Sequence, residues 1–262
     1  MWEKELTVAW KAARAAGEIL NGMFGEVFHI TKKGDIDLVT EADLRAEKTI
    51  LEIIRNHFPE DDILSEEAGR DGRPSDRNWL VDPLDGTINF AHGFPFYAVS
   101  IALEVEGEIV VGVVYDPHMD ECFKASKGAG ALLNNGPIRV SETRDLGNAL
   151  LATGFPYDIR EKSKRTLALL DKMVMRAQGV RRPGAATLDL CYVAAGRLDG
   201  FWEEGLKPWD TAAGTVIVRE AGGILSTFEG RPYSPYEESV VAANPLLHEE
   251  MIRVVKGEVT GN

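Results

Sequence analysis

Apolar residues recur at alternating steps of four and three near the start of the chain, at Leu6, Trp10, Ala13, Gly17, Leu20 and Phe24, which predicts a helix with one buried stripe. After Gly25, Val27-Phe28-His29-Ile30 predicts a short strand. The segment from Lys32 through Asp37 to Thr40 alternates charge without a helical period and reads as a polar loop, with Ile36 the lone apolar anchor between Lys32 and Asp37. From Asp43 the helical period returns, with Leu44, Leu51, Ile54 and Phe58 as the apolar face of a second helix that stops before Pro59.

The pattern then changes from period 3.6 to period 2 and to short apolar runs. Ile63-Leu64-Ser65 runs as a strand into Glu66-Glu67, residues 70–76 form a polar loop, and Trp79-Leu80-Val81 runs into Asp82. Residues 96–103, 109–115 and 121–125 predict an antiparallel meander divided by Glu106-Gly107 and Asp116-Pro117, with a tight hairpin at Asn135-Gly136. The composition shifts at residues 141–147, which suggests an N-terminal α+β half over 1–143 and a C-terminal α/β half over 144–262. In the second half a strand is expected at 149–153, helices at 161–177 and 185–195, and a strand at 199–203. A helix at 210–221, strands at 224–227 and 239–243, and a last helix at 245–255 follow. Strand-helix alternation of this kind predicts layers of helices on a sheet.

With 262 residues, the chain is long enough for one large domain or two closely packed halves. Its formal net charge of −13 argues against direct nucleic-acid binding, which needs a basic surface. The same charge repels anionic substrates unless bound cations invert the local field. Cys122 and Cys191 lie in apolar stretches and read as reduced, buried thiols. No apolar run approaches the roughly 20 residues that span a bilayer, and Trp2-Glu3-Lys4-Glu5 interrupts any leader pattern, so a cytoplasmic protein with no membrane partner is expected. The five histidines show neither metal-ligand spacing nor a partnered nucleophile, and no Gly-x-Ser-x-Gly is present.

The candidate chemistry centres on Asp82-Pro83-Leu84-Asp85-Gly86-Thr87. Asp82 and Asp85 stand three residues apart across a proline, so Asp82 is expected to close the strand while a rigid turn returns Asp85 to the same side. Gly86 beside them admits close backbone approach, and the Gly86 and Thr87 amides open a short helix. Carboxylate oxygens next to amide donors suit a hard cation and a phosphate together, although Asp-Pro and Asp-Gly are also ordinary turn dipeptides. Asp43 and Asp210 each stand at the start of an expected helix, where an N-cap role and a chemical role are both open.

Residues 82–90, Asp-Pro-Leu-Asp-Gly-Thr-Ile-Asn-Phe, resemble the first signature of the inositol monophosphatase family of magnesium-dependent sugar phosphatases. Pro208-Trp209-Asp210-Thr211-Ala212-Ala213-Gly214, continuing through Glu220-Ala221-Gly222-Gly223, is similar to the second. Asp37-Leu38-Val39-Thr40 with Asp43 is similar to the family's Asp-Leu-Val-Thr-x-x-Asp. The resemblance covers nearly the whole chain. It implies a mixed α/β (α+β) fold, the layered αβαβα sandwich of the inositol monophosphatase and fructose-1,6-bisphosphatase type, and a homodimer.

By the same resemblance, Glu66, Asp82 and the main-chain carbonyl of Leu84 hold one Mg²⁺, Asp82, Asp85 and Asp210 hold another, and Glu66 contributes to a third. Metal pairs of this kind sit roughly 3.5–4 Å apart. Thr87 and Asp43 orient the attacking water and accept its proton, with Glu66 in the catalytic set and no phosphoenzyme. Glu203, Ala186 within Gly184-Ala185-Ala186, Asp85, Gly86 and Thr87 contact the substrate. Glu203-Glu204 also reads as an ordinary exposed pair. Gly154-Phe155-Pro156-Tyr157 departs from the small polar residues of animal members, which leaves the sugar open. Arg181-Arg182 either meets a second phosphate or pairs with the acidic surface. The expected function is hydrolysis of myo-inositol monophosphate or a related small sugar phosphate. The alternatives are fructose-1,6-bisphosphatase activity and a non-enzymatic partnership with the transcription machinery, the latter because Gly179-Val180-Arg181-Arg182-Pro183-Gly184 resembles bacterial relatives with that role.

Overall fold

Five layers stack in the order helices, sheet, helices, sheet, helices, as the resemblance implies. The computed structural model describes residues 1–25, 30–32, 38–71 and 75–258.

The first layer pairs α1 (Glu3–Met23) with α2 (Glu41–His57), and between them β1 (Ile30–Lys32) and β2 (Leu38–Thr40) form an antiparallel ribbon. Of the strand expected at 27–30 only Ile30 is described, and residues 33–37 of the expected loop, Asp37 of the motif included, lie outside the described residues. Ala13, Gly17 and Leu20 of the expected α1 stripe and Ile54 and Phe58 of the expected α2 face are buried, and small side chains not singled out by spacing complete both faces. On α1 the buried residues are Val8, Ala9, Ala12, Ala13, Ala16, Gly17 and Leu20, with Leu6 and Trp10 only flanking. A Cβ at Gly17 would meet the Tyr115 ring at 2.5 Å, which is how closely this helix lies on the sheet. On α2 the stripe is Ala42, Ala46, Ile50 and Ile54, and Leu44, expected in the core, is 53% exposed.

The larger sheet comprises β3 (Asp62–Ser65), β4 (Gly69–Asp71), β5 (Arg77–Asp85), β6 (Ala98–Val105), β7 (Glu108–Asp116), β8 (Glu121–Ser126), β9 (Ala131–Leu133) and β10 (Gly136–Ile138), with the short α3 (Thr87–Ala91) between β5 and β6. Its order is β10-β9-β8-β7-β6-β5-β3-β4, antiparallel throughout except for β3 beside β5. The meander is β6-β7-β8, and the hairpin turn rests on Asn134-Asn135, with Asn134 at φ 53. Strand β4 occupies part of the segment that the sequence marked as loop.

From Trp79 to Val81 the side chains of β5 alternate between two cores. Trp79 and Val81 pack on α1 and α2, while Leu80 faces the opposite side. A one-residue slip would exchange every one of these positions. Burying each such side chain is worth roughly 1.5–3 kcal/mol, so the register, and with it the place of Asp82, is firmly set.

The smaller sheet follows. After a 3-10 turn at Leu146–Asn148 come β11 (Leu150–Thr153), α4 (Ile159–Val174), β12 (Gly179–Arg181), α5 (Ala186–Ala194), β13 (Gly200–Glu204), α6 (Pro208–Glu220), β14 (Ile224–Ser226), β15 (Ser239–Ala243) and α7 (His248–Lys256). The order is β12-β11-β13-β15-β14, parallel among the first three and antiparallel thereafter. Strand β12 is not anticipated by the sequence pattern. Helices α5 and α6 form the middle layer and are buried on nearly every side, sharing one core with Leu80 and Ala102 of the larger sheet and with Ala152, Phe201 and Ala242 of the smaller. The alternate residues Leu151, Trp202 and Val241 face outward onto the core that includes Leu169, Met173 and Met251 of α4 and α7. The division suggested near residue 143 falls between β10 and β11, the last strand of one sheet and the first of the other. Both cysteines are free and buried. No helix among the described residues is long and apolar enough to cross a membrane.

Candidate active site

Strand β5 does not end at Asp82 in a turn; it continues to Asp85 through an irregularity. Asp82 pairs with Ser100 and Asp85 with Ala98, so three steps on β5 match two on β6. Residues three apart on a regular strand point to opposite faces, whereas the extra residue here returns Asp85 to the face of Asp82. The bulge, rather than a proline turn, therefore brings the two carboxylates together.

Gly86 follows at φ 91, and a Cβ there would come within 2.9 Å of the Phe96 carbonyl, so glycine is required twice over. Helix α3 is only five residues long. Any anion affinity at its start comes from individual amides rather than from a developed macrodipole.

One cavity of about 270 Å³ collects what the sequence scatters. Glu66, Asp82, Leu84, Asp85, Gly86, Thr87, Ala186, Glu203 and Asp210 all line it. Glu66 stands just beyond β3 in a tight turn, its amide donating to Val81 O at 3.1 Å. Glu47, a buried acid not anticipated by the sequence reading, secures that turn by accepting from the amides of Glu67 (3.1 Å) and Ala68 (3.0 Å). Asp210 comes from α6. It is the third helical residue rather than the N-cap, and its Oδ2 accepts from the amide of the N-cap Lys207 at 2.7 Å.

Asp43 does not line the cavity. It is the third residue of α2, where Thr40 is the N-cap, and is fully buried behind Thr87. Its Oδ2 accepts from the Thr40 amide (2.9 Å) and hydroxyl (2.5 Å), and its Oδ1 lies 3.2 Å from Thr87 Oγ1. Thr87 Oγ1 is also 3.0 Å from the Leu84 carbonyl.

The floor of the cavity is Glu203 on β13, whose carboxylate rests on Gly154, where a Cβ would overlap it. Glu203 is buried rather than an exposed surface acid. Phe155, Pro156, Tyr157 and Arg182 form one wall, with the Arg182 guanidinium 5.3 Å from the Phe155 ring centroid. Two further polar residues of α5 escape the sequence reading, hidden in an apolar helix: Thr187, hydrogen-bonded to Asp85, and Asp189, buried with Oδ1 unpartnered.

Electrostatically the cavity is a concentration of negative charge. Burial, and then the charges of Glu66, Asp85 and Asp210, push Asp82 well above the usual carboxylate range. Burial raises Asp85 to about 6 against the opposing pull of the Thr187 hydrogen bonds, and raises Glu203 to about 8. Asp210 is pushed up by burial and by Asp85. A cluster of this kind calls for a cation, and its donor set is all oxygen, as Mg²⁺ prefers.

Among the described residues no three acidic, histidine or cysteine side chains close a ligand cage by themselves. Asp82 Oδ1, Asp85 Oδ2 and Asp210 Oδ2 are instead turned to the amides of Leu84, Thr187 and Lys207. That arrangement fits an ion that retains several waters and takes substrate phosphate as a ligand.

Comparison with known proteins identifies the family. The family model described as inositol monophosphatase family matches residues 1–260. The chain belongs to the inositol monophosphatase family. An inositol-1-monophosphatase from Synechocystis is 46% identical over 248 residues, covering 94% of this chain and 86% of that protein. A protein named Nus factor SuhB from Salmonella typhimurium is 43% identical over 258 residues, 97% of each chain. Among solved structures, the extragenic suppressor protein suhB from Bartonella henselae superimposes with a TM-score of 0.94 at 42% identity, covering 98% of this chain and all of that one. An inositol monophosphatase from Anabaena gives 0.90 at 41% identity, covering 97% and 96%. Membership supports a phosphatase of small sugar phosphates in the family's layered fold.

Proposed function

We propose that this family member is a Mg²⁺-dependent phosphate monoester hydrolase acting on myo-inositol monophosphate or a related sugar phosphate by direct attack of water. One observation carries the reading: acidic oxygen donors from three distant parts of the chain, Glu66, Asp82 with Asp85, and Asp210, converge on one cavity, where burial and their mutual charge hold Asp82 well above the usual carboxylate range. Glu66, Asp82 and the Leu84 carbonyl would hold one Mg²⁺, and Asp82, Asp85 and Asp210 another, with Glu66 extending to a third. Such ions supply positive charge that offsets the phosphate and acidifies water.

The chain's own residues do the rest. Thr87 Oγ1 is the hydroxyl at the cavity wall, and Asp43 Oδ1 stands 3.2 Å behind it as the proton acceptor. Burial raises the Asp43 carboxyl, which makes its carboxylate a stronger base than a surface aspartate. The amides of Gly86 and Thr87 orient phosphate oxygens. Glu203 and the backbone at Ala186 accept and donate to the hydroxyls of the leaving sugar, while the Phe155 and Tyr157 wall limits its shape. The protein is proposed to act in the cytoplasm as a homodimer.

Phosphate release across a panel of sugar phosphates, including inositol 1-phosphate and fructose 1,6-bisphosphate, tests this reading, with and without chelator. Chelator-sensitive turnover of inositol 1-phosphate is expected, and fructose bisphosphate as the better substrate would shift the assignment within the family. The SuhB-named relatives favour a second reading as a partner of transcription proteins. Capture of RNA polymerase or its elongation factors by a catalytically dead variant would support it.

A further inference from the structure

A carboxylate that ligates a cation through one oxygen holds its geometry only if the other oxygen is restrained. At Asp85 that restraint comes from 102 residues further along the chain. The backbone amide of Thr187 donates to Asp85 Oδ2 at 2.7 Å, and the Thr187 hydroxyl donates to the same oxygen at 2.5 Å. Thr187 is completely buried in the first turn of α5. Thr187 is only the second residue of α5, so no helical carbonyl lies four residues back to take its hydroxyl, as one would for a threonine in a helix interior, and that hydroxyl is directed to Asp85 instead.

We propose that Thr187 is a positioning residue that pins Asp85 Oδ2 to α5, so that Asp85 meets a divalent cation with a single oxygen. The inference rests on the reading of Asp85 as a metal ligand. It also gives that site a selectivity. Mg²⁺ demands compact octahedral coordination at about 2.1 Å, whereas Ca²⁺ accepts bidentate carboxylates and more ligands at 2.3–2.6 Å. A pinned carboxylate favours the smaller ion. The same helix turn carries Ala186 at the cavity wall, so the substrate-facing backbone and the ligand are held by one element.

Isothermal titration calorimetry of Mg²⁺ and of Ca²⁺ tests the proposal on the full chain, without reference to turnover. Thr187→Val keeps the shape and removes the hydroxyl. It is expected to weaken Mg²⁺ binding by about tenfold or more, the usual effect of losing a hydrogen bond that orients a ligand. Ca²⁺ binding should change less, so the ratio of the two affinities narrows. Thr187→Ser should restore the parent ratio, and Thr187→Ala repeats the test should the valine disturb packing. Asp210→Asn serves as the control. If it abolishes Mg²⁺ binding while the valine and alanine variants bind both ions as the parent does, Thr187 has no positioning role and the metal site stands. If Asp210→Asn binds Mg²⁺ normally, the metal reading itself falls, and this inference with it.

Discussion

Thr87 Oγ1 and Asp43 Oδ1 meet at 3.2 Å although 44 residues separate them. The two Thr40 hydrogen bonds fix the other Asp43 oxygen, so Oδ1 has one direction left to face. Removing either partner should therefore leave substrate binding largely intact and slow the chemical step. Asp43→Asn and Thr87→Val are each expected to lower kcat by about a hundredfold or more, the range of general-base contributions, with KM changed little. Thr87→Ser should retain most of the activity. Steady-state kinetics decides the matter: a loss confined to KM would remove both residues from proton transfer.

Asp210 serves α6 as well as the cavity, because its Oδ2 accepts from Lys207 N. Asp210→Asn keeps an oxygen for that bond and removes the charge. Turnover should be abolished while the melting temperature of the metal-free protein stays the same or rises, since one buried negative charge has gone. Near-normal activity at saturating Mg²⁺ would contradict the ligand assignment.

The raised carboxyls predict a pH dependence of stability with a definite sign. In the metal-free protein the folded-state values of Asp85 (about 6) and Glu203 (about 8) lie above the ordinary carboxylate range, so folding favours their protonated forms. The stability they contribute is complete below about pH 4, the unfolded range, and is lost as pH rises through about 8. Thermal melts in chelator should show a falling midpoint across that window, and added Mg²⁺ at pH 8 should reverse the fall. Glu203→Gln should flatten the upper part of the curve, between about 6 and 8. A midpoint that climbs with pH in chelator would show that these acids are not strained by mutual burial.

Calcium should bind the same oxygens and inhibit. Its larger and less ordered shell satisfies carboxylates without enforcing the in-line geometry of displacement. Rates measured over a Mg²⁺ series at several fixed Ca²⁺ concentrations should show competition, and robust turnover with Ca²⁺ alone would refute it.

Sequence by itself determined the layered class, the meander, most helices of the second half, and the identity of the candidate ligands. The meander and the helices follow from local periodicity; the layered sandwich and the candidate ligands, Glu66 among them, follow from the family resemblance that the two motifs carry. Spacing placed Ala13, Gly17, Leu20, Ile54 and Phe58 on the buried faces of α1 and α2 but missed the alanines packed beside them, and it put Leu44 in the core where the structure leaves it exposed. Only the tertiary structure decided how Asp82 and Asp85 share a face, because a bulge is a property of the pairing between β5 and β6 and not of either strand alone. Only folding, likewise, set Asp43 behind Thr87, laid Glu203 on the bare backbone of Gly154, and carried Thr187 to Asp85. Each of those contacts joins residues from separate elements, and hydrogen bonds over such separations leave no periodic trace in a sequence; they exist because two sheets and the buried helices between them fix where the chain returns.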